Sequence, residues 1–83
     1  MYQVLFSEQA ERFLKKLDKN EYERIISTLE RISIRPEHFV EKMVGESGYK
    51  LRIGNYRLFL DINNNQLIIL VVTISHRKNA YKN

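Results

Sequence analysis

Three cations stand close together in residues 49 to 62, which read Tyr-Lys-Leu-Arg-Ile-Gly-Asn-Tyr-Arg-Leu-Phe-Leu-Asp-Ile. The Gly54-Asn55 pair between alternating runs predicts a two-residue hairpin turn, and such a turn places Arg52 opposite Arg57. Because side chains alternate along a strand, Lys50 joins both arginines on one face. Directly opposed like charges destabilise a sheet, so folding alone gives no reason for this pair. The spacing therefore predicts an anion site, and phosphate suits both the arginine fork and the mobile lysine charge.

A second group of candidates follows from the last predicted strand, residues 66 to 75, whose β-branched run indicates a central strand buried on both faces. If no bulge interrupts it, its odd-numbered residues share the face of Arg57, and Arg77 comes to the same side. This alternation also places three apolar side chains between the cations, those of Phe59, Ile69 and Val71. They offer apolar or stacking contacts to nucleobases. The alternative is that each cation is simply solvated on an exposed sheet face.

Two side chains beside Arg77 have proton-transfer capacity. His76 can act as acid or base near neutral pH, and a phenolate at Tyr81 would be stabilised by nearby cations. The alternatives are that His76 caps or packs and that the Tyr81 ring anchors the tail; His38 is interpreted as structural. No phosphate-binding glycine loop and no His-Glu-x-x-His motif occurs, so neither a metal nor a cofactor is expected.

Length and charge limit the class of protein. The 83 residues predict a single domain over 1–83. Residues 1–47 carry a net charge of −1 and residues 48–83 a net charge of +5, which indicates a polyanionic partner such as nucleic acid, although a basic domain can also simply be soluble. The chain has no cysteine, no apolar run long enough to span a membrane and no signal-peptide pattern, so a cytoplasmic location is expected.

The remaining elements follow from periodicity. Residues 2–6 predict a first strand, and Ser7 is the expected N-cap of a first helix that ends near Asp18. Asn20 and Glu23 resemble a capping box for a second helix, which Pro36 ends. We therefore predict an α+β fold of order β-α-α-β-β-β, with a small antiparallel sheet and an α-helical hairpin packed on one face.

Two segments carry a family resemblance. The run Tyr49-Lys-Leu-Arg-Ile-Gly-Asn-Tyr-Arg-Leu and the ending Ile74-Ser-His-Arg-Lys-Asn-Ala-Tyr resemble the RelE/ParE superfamily of bacterial and archaeal toxins, and the resemblance extends over almost the full length. It implies a sheet packed against an α-hairpin. For the RelE branch of type II toxin-antitoxin systems it implies an mRNA interferase, a metal-independent endoribonuclease that cuts messenger RNA in the ribosomal A site and so inhibits translation.

The resemblance also implies roles for individual residues. Lys50 and Arg52 match the basic pair of the family's second strand, Arg57 its strand-three arginine, Arg77 its late arginine and Tyr81 its C-terminal tyrosine. The implied reaction is attack of a ribose 2′-hydroxyl on the adjacent phosphate. Since the given chain stops two residues after Tyr81, Glu46 or His76 is an alternative base. The expected RNA contacts come from Lys50, Arg52, Phe59 and Lys78.

Partners and competing functions complete the expectations. The resemblance implies a cognate acidic, RelB-like antitoxin, partly disordered before it binds, besides messenger RNA and the ribosomal A site. One alternative is a ParE-type toxin, which inhibits DNA gyrase without enzymatic activity. The other is a RelE-fold binding module without activity, whose basic face only docks a partner.

Overall fold

One five-stranded sheet and two helices make up the fold, which a computed structural model describes for residues 1–45 and 47–76. The elements in chain order are β1 (Gln3–Phe6), α1 (Glu8–Lys15), α2 (Lys19–Ile32), a 3-10 turn (Pro36–His38), β2 (Glu41–Lys42), β3 (Tyr49–Ile53), β4 (Tyr56–Asn63) and β5 (Ile68–His76). The strand order in the sheet is β1-β5-β4-β3-β2. No helix in the described ranges is long and apolar enough to cross a membrane. The predicted α+β class with its helical hairpin is confirmed.

Two details of the predicted sheet were wrong. The sheet is mixed rather than antiparallel, because β1 pairs with β5 in parallel. A parallel neighbour needs a long crossover, and here the whole chain between β1 and β5 provides it. The second difference is β2, a two-residue strand that pairs antiparallel with β3. So short a strand carries no period of its own, and only its neighbour defines it.

The helix starts are set by side-chain caps. Ser7 caps α1 as predicted, and its hydroxyl accepts a hydrogen bond from the Ala10 amide. The predicted cap at Asn20 was wrong, because Asp18 caps α2 and its carboxylate accepts from the Glu21 amide at 2.9 Å. Asp18 thus belongs to the start of α2 rather than to the end of α1. An aspartate at this position also places negative charge at the positive end of the helix dipole.

The two candidate caps give a matched test of stability. Asp18→Ala should lower the free energy of unfolding by about 1 kcal/mol, because one amide of the first turn loses its acceptor. Asn20→Ala should change it by less than about 0.5 kcal/mol, since Asn20 is an exposed helical residue. Urea denaturation of both variants measures the difference, and an equal loss in the two would contradict the cap at Asp18.

The core lies between the helices and one face of the sheet. The helices contribute Ala10, Leu14, Ile25, Leu29 and Ile32. The strands contribute Leu51, Ile53, Tyr56, Leu58, Leu60, Ile69, Val71 and Ile74. We call this side of the sheet the core face and the other side the open face. The expectation that β5 is buried on both faces was half right, because Ile68 and Leu70 on the open face remain only partly buried.

A β-bulge in β5 changes which of its residues share a face. Phe59 pairs with Thr73 but Leu60 pairs with Val71, so Val72 is an extra residue in the ladder. The prediction that Ile69 and Val71 lie on the face of Arg57 was therefore wrong. Both are completely buried on the core face. Beyond the bulge the predicted parity holds for Thr73 and Ser75, since Ser75 is the register partner of Arg57.

Side chains from the start of α1 hold the bulged segment. β1 ends at Phe6, so its pairing with β5 stops at Val71, and no other strand of residues 1–45 and 47–76 continues it. The Ser7 hydroxyl donates to the Val72 carbonyl. The Gln9 amide side chain accepts from the Ile74 amide at 3.2 Å and donates to the Ile74 carbonyl at 3.3 Å. The helix start therefore satisfies backbone groups that an adjoining strand would otherwise pair.

Candidate functional site

The hairpin of β3 and β4 places three cations on the open face. Its register is as predicted: Ile53 faces Tyr56, and Arg52 faces Arg57 across a two-residue turn. Gly54 has a φ of 57°, the left-handed region in which glycine is unstrained, while Asn55 has no positive φ. Lys50 shares the face of both arginines, because it lies two residues before Arg52 on the same strand. We call Lys50, Arg52 and Arg57 the basic row.

The basic row is flanked by groups that can contact a nucleotide. Arg57 stands between Arg52 on one neighbouring strand and Ser75 on the other. Phe59 stands in the same way between Lys50 and Thr73. Directly opposite side chains in a sheet have Cβ atoms about 5 Å apart, so the two arginines can donate to one phosphate. The half-buried Phe59 ring lies next to them, where a base can stack.

A carboxylate that sequence reasoning missed lies beside the basic row. Glu41 on β2 is the register partner of Lys50, and its Oε1 is 3.8 Å from the lysine Nζ. The Lys50 side chain is 40% exposed and that of Glu41 76% exposed, so water screens the pair and its energy is small. No periodic signal in residues 36–48 could have found it, because β2 has only two residues.

His76 lies on the other side of the sheet from the basic row. It is the register partner of Tyr56, and the two rings meet edge to face with centroids 5.3 Å apart. Phe13 packs against Tyr56 in the same manner at 5.9 Å. Burial raises the pKa of the Tyr56 phenol, and the carboxylates of Glu21 and Asp18 raise that pKa further. Tyr56 is therefore neutral at physiological pH.

The other predicted site residues fall outside the part of the chain that the structure describes. They are Arg77, Lys78, Tyr81 and Glu46. Of the predicted RNA-contacting residues within it, Lys50, Arg52 and Phe59 come together on the open face. His38 is exposed at the end of the 3-10 turn. Within residues 1–45 and 47–76, no three His, Cys, Asp or Glu side chains come together as a metal site requires.

The far end of the open face carries several apolar side chains. Leu5 on β1 and Leu70 on β5 are register partners there, and Leu5 is 40% exposed. Ile68 continues this surface toward the start of β5. The open face thus has a basic end near the hairpin turn and, toward β1, apolar side chains next to the exposed carboxylate of Asp61, the register partner of Leu70.

Comparisons with known proteins agree with this architecture. The sequence model of the ParE toxin of type II toxin-antitoxin systems, parDE, matches residues 4–81. No curated protein matches the chain. Among solved structures, the RelBE2 toxin-antitoxin complex from Mycobacterium tuberculosis contains a chain that superposes with a TM-score of 0.83 and 24% identity, covering 92% of this chain and 98% of that chain.

Two further structures are similar. The isolated Escherichia coli RelE toxin has a TM-score of 0.77 and 22% identity, covering 92% of this chain and 84% of that chain. The RelB-RelE antitoxin-toxin complex from Methanococcus jannaschii has a TM-score of 0.73 and 25% identity, covering 95% and 96%. The family model spans nearly all of this sequence, and the solved structures have the same fold as this chain. The chain therefore belongs to the RelE/ParE superfamily and is a toxin of the type II toxin-antitoxin class.

Proposed function

We propose that this toxin is a RelE-type, ribosome-dependent endoribonuclease that cleaves messenger RNA and so stops translation. The observation that carries the proposal is the basic row on the open face of the sheet, where Arg52 and Arg57 oppose each other directly. Directly opposed like charges repel each other, and a phosphate bound by both guanidinium groups would offset that repulsion. The Phe59 ring beside the pair is placed to stack on a base next to that phosphate.

The proposed reaction is a transesterification within the RNA strand. The 2′-oxygen forms a bond to the adjacent phosphorus while the bond from phosphorus to the 5′-oxygen breaks. A base takes the proton of the 2′-hydroxyl, and an acid gives a proton to the departing 5′-oxygen. The products are a 2′,3′-cyclic phosphate and a free 5′-hydroxyl. Negative charge builds up on the phosphoryl oxygens in the transition state, and the basic row stabilises that charge.

The proton transfers are assigned to residues near the end of the chain. In our proposal Arg77 or Tyr81 assists the leaving oxygen, and Glu46 or His76 acts as base if Tyr81 does not. Lys78 adds a further phosphate contact. The His76 ring lies against Tyr56 on the core side of the sheet, so its service as base requires the 2′-hydroxyl to approach the end of β5. No metal enters this scheme.

An acidic antitoxin is the proposed protein partner. Related toxins have been solved as complexes with RelB, among them those from Mycobacterium tuberculosis and Methanococcus jannaschii. The net charge of +5 in residues 48–83 favours an acidic partner. Such a partner would neutralise the toxin by covering the basic row.

The match to the ParE family model favours a second candidate function, inhibition of DNA gyrase without catalysis. One preparation of toxin can decide between the two. Ribosomes carrying a defined message are incubated with the toxin, and primer extension maps any cut; gyrase supercoiling is measured in parallel. The proposal expects a cut in the A-site codon and unchanged supercoiling. An intact message together with lost supercoiling would establish the ParE-type function instead.

The Glu41–Lys50 pair gives a prediction about affinity. Glu41→Gln should tighten binding of a short single-stranded RNA by about two- to fivefold at low salt. The reason is that the Lys50 ammonium group no longer has to break its ion pair with the Glu41 carboxylate before it binds the RNA. The effect should fade as salt rises. Fluorescence anisotropy measures it, and Glu37→Gln, which removes an exposed carboxylate on the 3-10 turn, is the control. Equal tightening in both variants would mean that only net charge matters.

A further inference from the structure

A helix arginine lies flat against the hairpin turn. A Cβ atom placed on Gly54 would stand 3.0 Å from both Cζ and Nη1 of Arg24, and 3.4 Å from its Nε. Three atoms of one planar group at nearly the same distance mean that the guanidinium faces the glycine α-carbon. A side chain at position 54 would press on the guanidinium, which would have to move by a few tenths of an ångström. Gly54 therefore suits the turn through its positive φ and also leaves room for this contact.

The contact joins the helix layer to the tip of the hairpin. Arg24 precedes Ile25, which is completely buried, so the core fixes the backbone from which the arginine extends. On the other side, Gly54 follows Ile53, a buried residue of the last ladder pair. The next pair along the ladder is that of the two opposed arginines of the basic row. Whatever holds the turn therefore also sets the separation of that pair.

We infer that Arg24 is a positioning residue for the site, which holds the Gly54-Asn55 turn and thereby keeps Arg52 and Arg57 opposed on the open face. The inference rests on the proposed function for its effect on cleavage but not for the contact itself. An exposed hairpin end opens readily, and the flat guanidinium opposes this opening.

Direct binding of RNA by Arg24 is the competing reading, and the surroundings disfavour it. Arg24 reaches the turn from the helix side, whereas the basic row occupies the open face. Glu21 lies one helical turn before Arg24, and its carboxylate acts together with that of Asp18 on nearby Tyr56. The Arg24 guanidinium acts on the same phenol, so two carboxylates lie in its neighbourhood and make this side of the turn a poor place for a phosphate.

Amide hydrogen exchange on the free toxin tests the inference without RNA. In Arg24→Ala, the amides of Ile53 and Tyr56 should exchange about tenfold faster than in the wild type, because the hairpin end opens more often. Arg24→Lys should behave like Arg24→Ala, since lysine keeps the positive charge but lacks the planar guanidinium group. Arg31→Ala, an exposed arginine in the last turn of the same helix, is the control and should leave both amides unchanged.

A double-mutant cycle isolates the contact from backbone strain. Gly54→Ala adds strain at a positive φ and also displaces the guanidinium, so its effect on exchange should be smaller in the Arg24→Ala background. Additive effects of the two substitutions would overturn the inference.

Cleavage kinetics separate positioning from RNA binding. Both Arg24 variants should lower kcat by about three- to tenfold with little change in KM. Normal exchange with a raised KM would make Arg24 an RNA ligand and overturn the inference. If the wild-type toxin cuts no RNA, the proposed function fails while the exchange rates still decide the contact.

Discussion

Cleavage by the Arg52→Ala, Arg57→Ala double variant should fall by about a thousandfold or more, while the fold stays intact. Removing a single preorganised donor from a transition-state anion costs about a hundred- to a thousandfold in rate. The two arginines face each other across adjacent strands and are proposed to serve one phosphate, so their losses should not simply multiply. Single-turnover cleavage of a programmed ribosome measures the rate.

The stability of this double variant should change far less than its activity. Removing the opposed charges relieves a repulsion of a few tenths of a kcal/mol. Arg57 is half-buried, so loss of its aliphatic stem offsets part of that gain. We therefore expect thermal unfolding within a few degrees of the wild type. A loss of activity in this double variant would then report on the site rather than on unfolding.

A charge-matched control separates the site from general electrostatics. Arg12→Ala with Arg31→Ala removes the same two positive charges from exposed positions on the helices. This control should cleave within about threefold of the wild type, since it weakens the long-range attraction of RNA and removes the Arg12–Glu8 ion pair, which is exposed and weak. Equal inactivation of both double variants would show that net charge alone matters. Near-normal cleavage by Arg52→Ala, Arg57→Ala would remove the basic row from the mechanism.

The basic row was predictable because its geometry is local. A two-residue turn at Gly54-Asn55 leaves one register for the strands on either side, and that register places Arg52 opposite Arg57 whatever the rest of the chain does. The cap at Ser7 was equally local. The cap of α2 was not, because Asp18 and Asn20 are both good capping residues two positions apart, and the stronger-looking capping box at Asn20 was the wrong one.

The parity of β5 failed for a non-local reason. An uninterrupted apolar run gives no sign of which residues face the core, so parity has to be counted from the preceding turn. The bulge at Val72 breaks that count. It is held by Ser7 and by the Gln9 side chain, which lie more than sixty positions away in the sequence. The parallel pairing of β1 with β5 could not be predicted for the same reason, since the sequence of neither strand indicates which strand it pairs with.

Two adjacent isoleucines on β5 give the sharpest test of the observed faces. Ile69 is completely buried on the core face between Val4 and Ile62. Ile68 lies on the open face and remains partly exposed. Ile69→Ala should lower the free energy of unfolding by about 2–5 kcal/mol, because it removes core contacts and leaves a cavity. Ile68→Ala should lower the free energy of unfolding by about 1 kcal/mol, since the Ile68 side chain buries less apolar surface on folding than that of Ile69.

The two variants make the same substitution at adjacent positions of one strand. A difference between their losses in free energy of unfolding therefore shows which side chain faces the core. A chain of 83 residues has a stability of about 4–12 kcal/mol, and Ile69→Ala would remove a large part of it. Urea denaturation measures both losses from the transition midpoints at a common slope. The test can be repeated two residues further along β5 by comparing Val71→Ala with Leu70→Ala, since Val71 is the buried residue of that pair. A larger loss in Ile68→Ala and Leu70→Ala than in their partners would contradict the bulge at Val72, because without the bulge Ile69 and Val71 would lie on the side of the basic row.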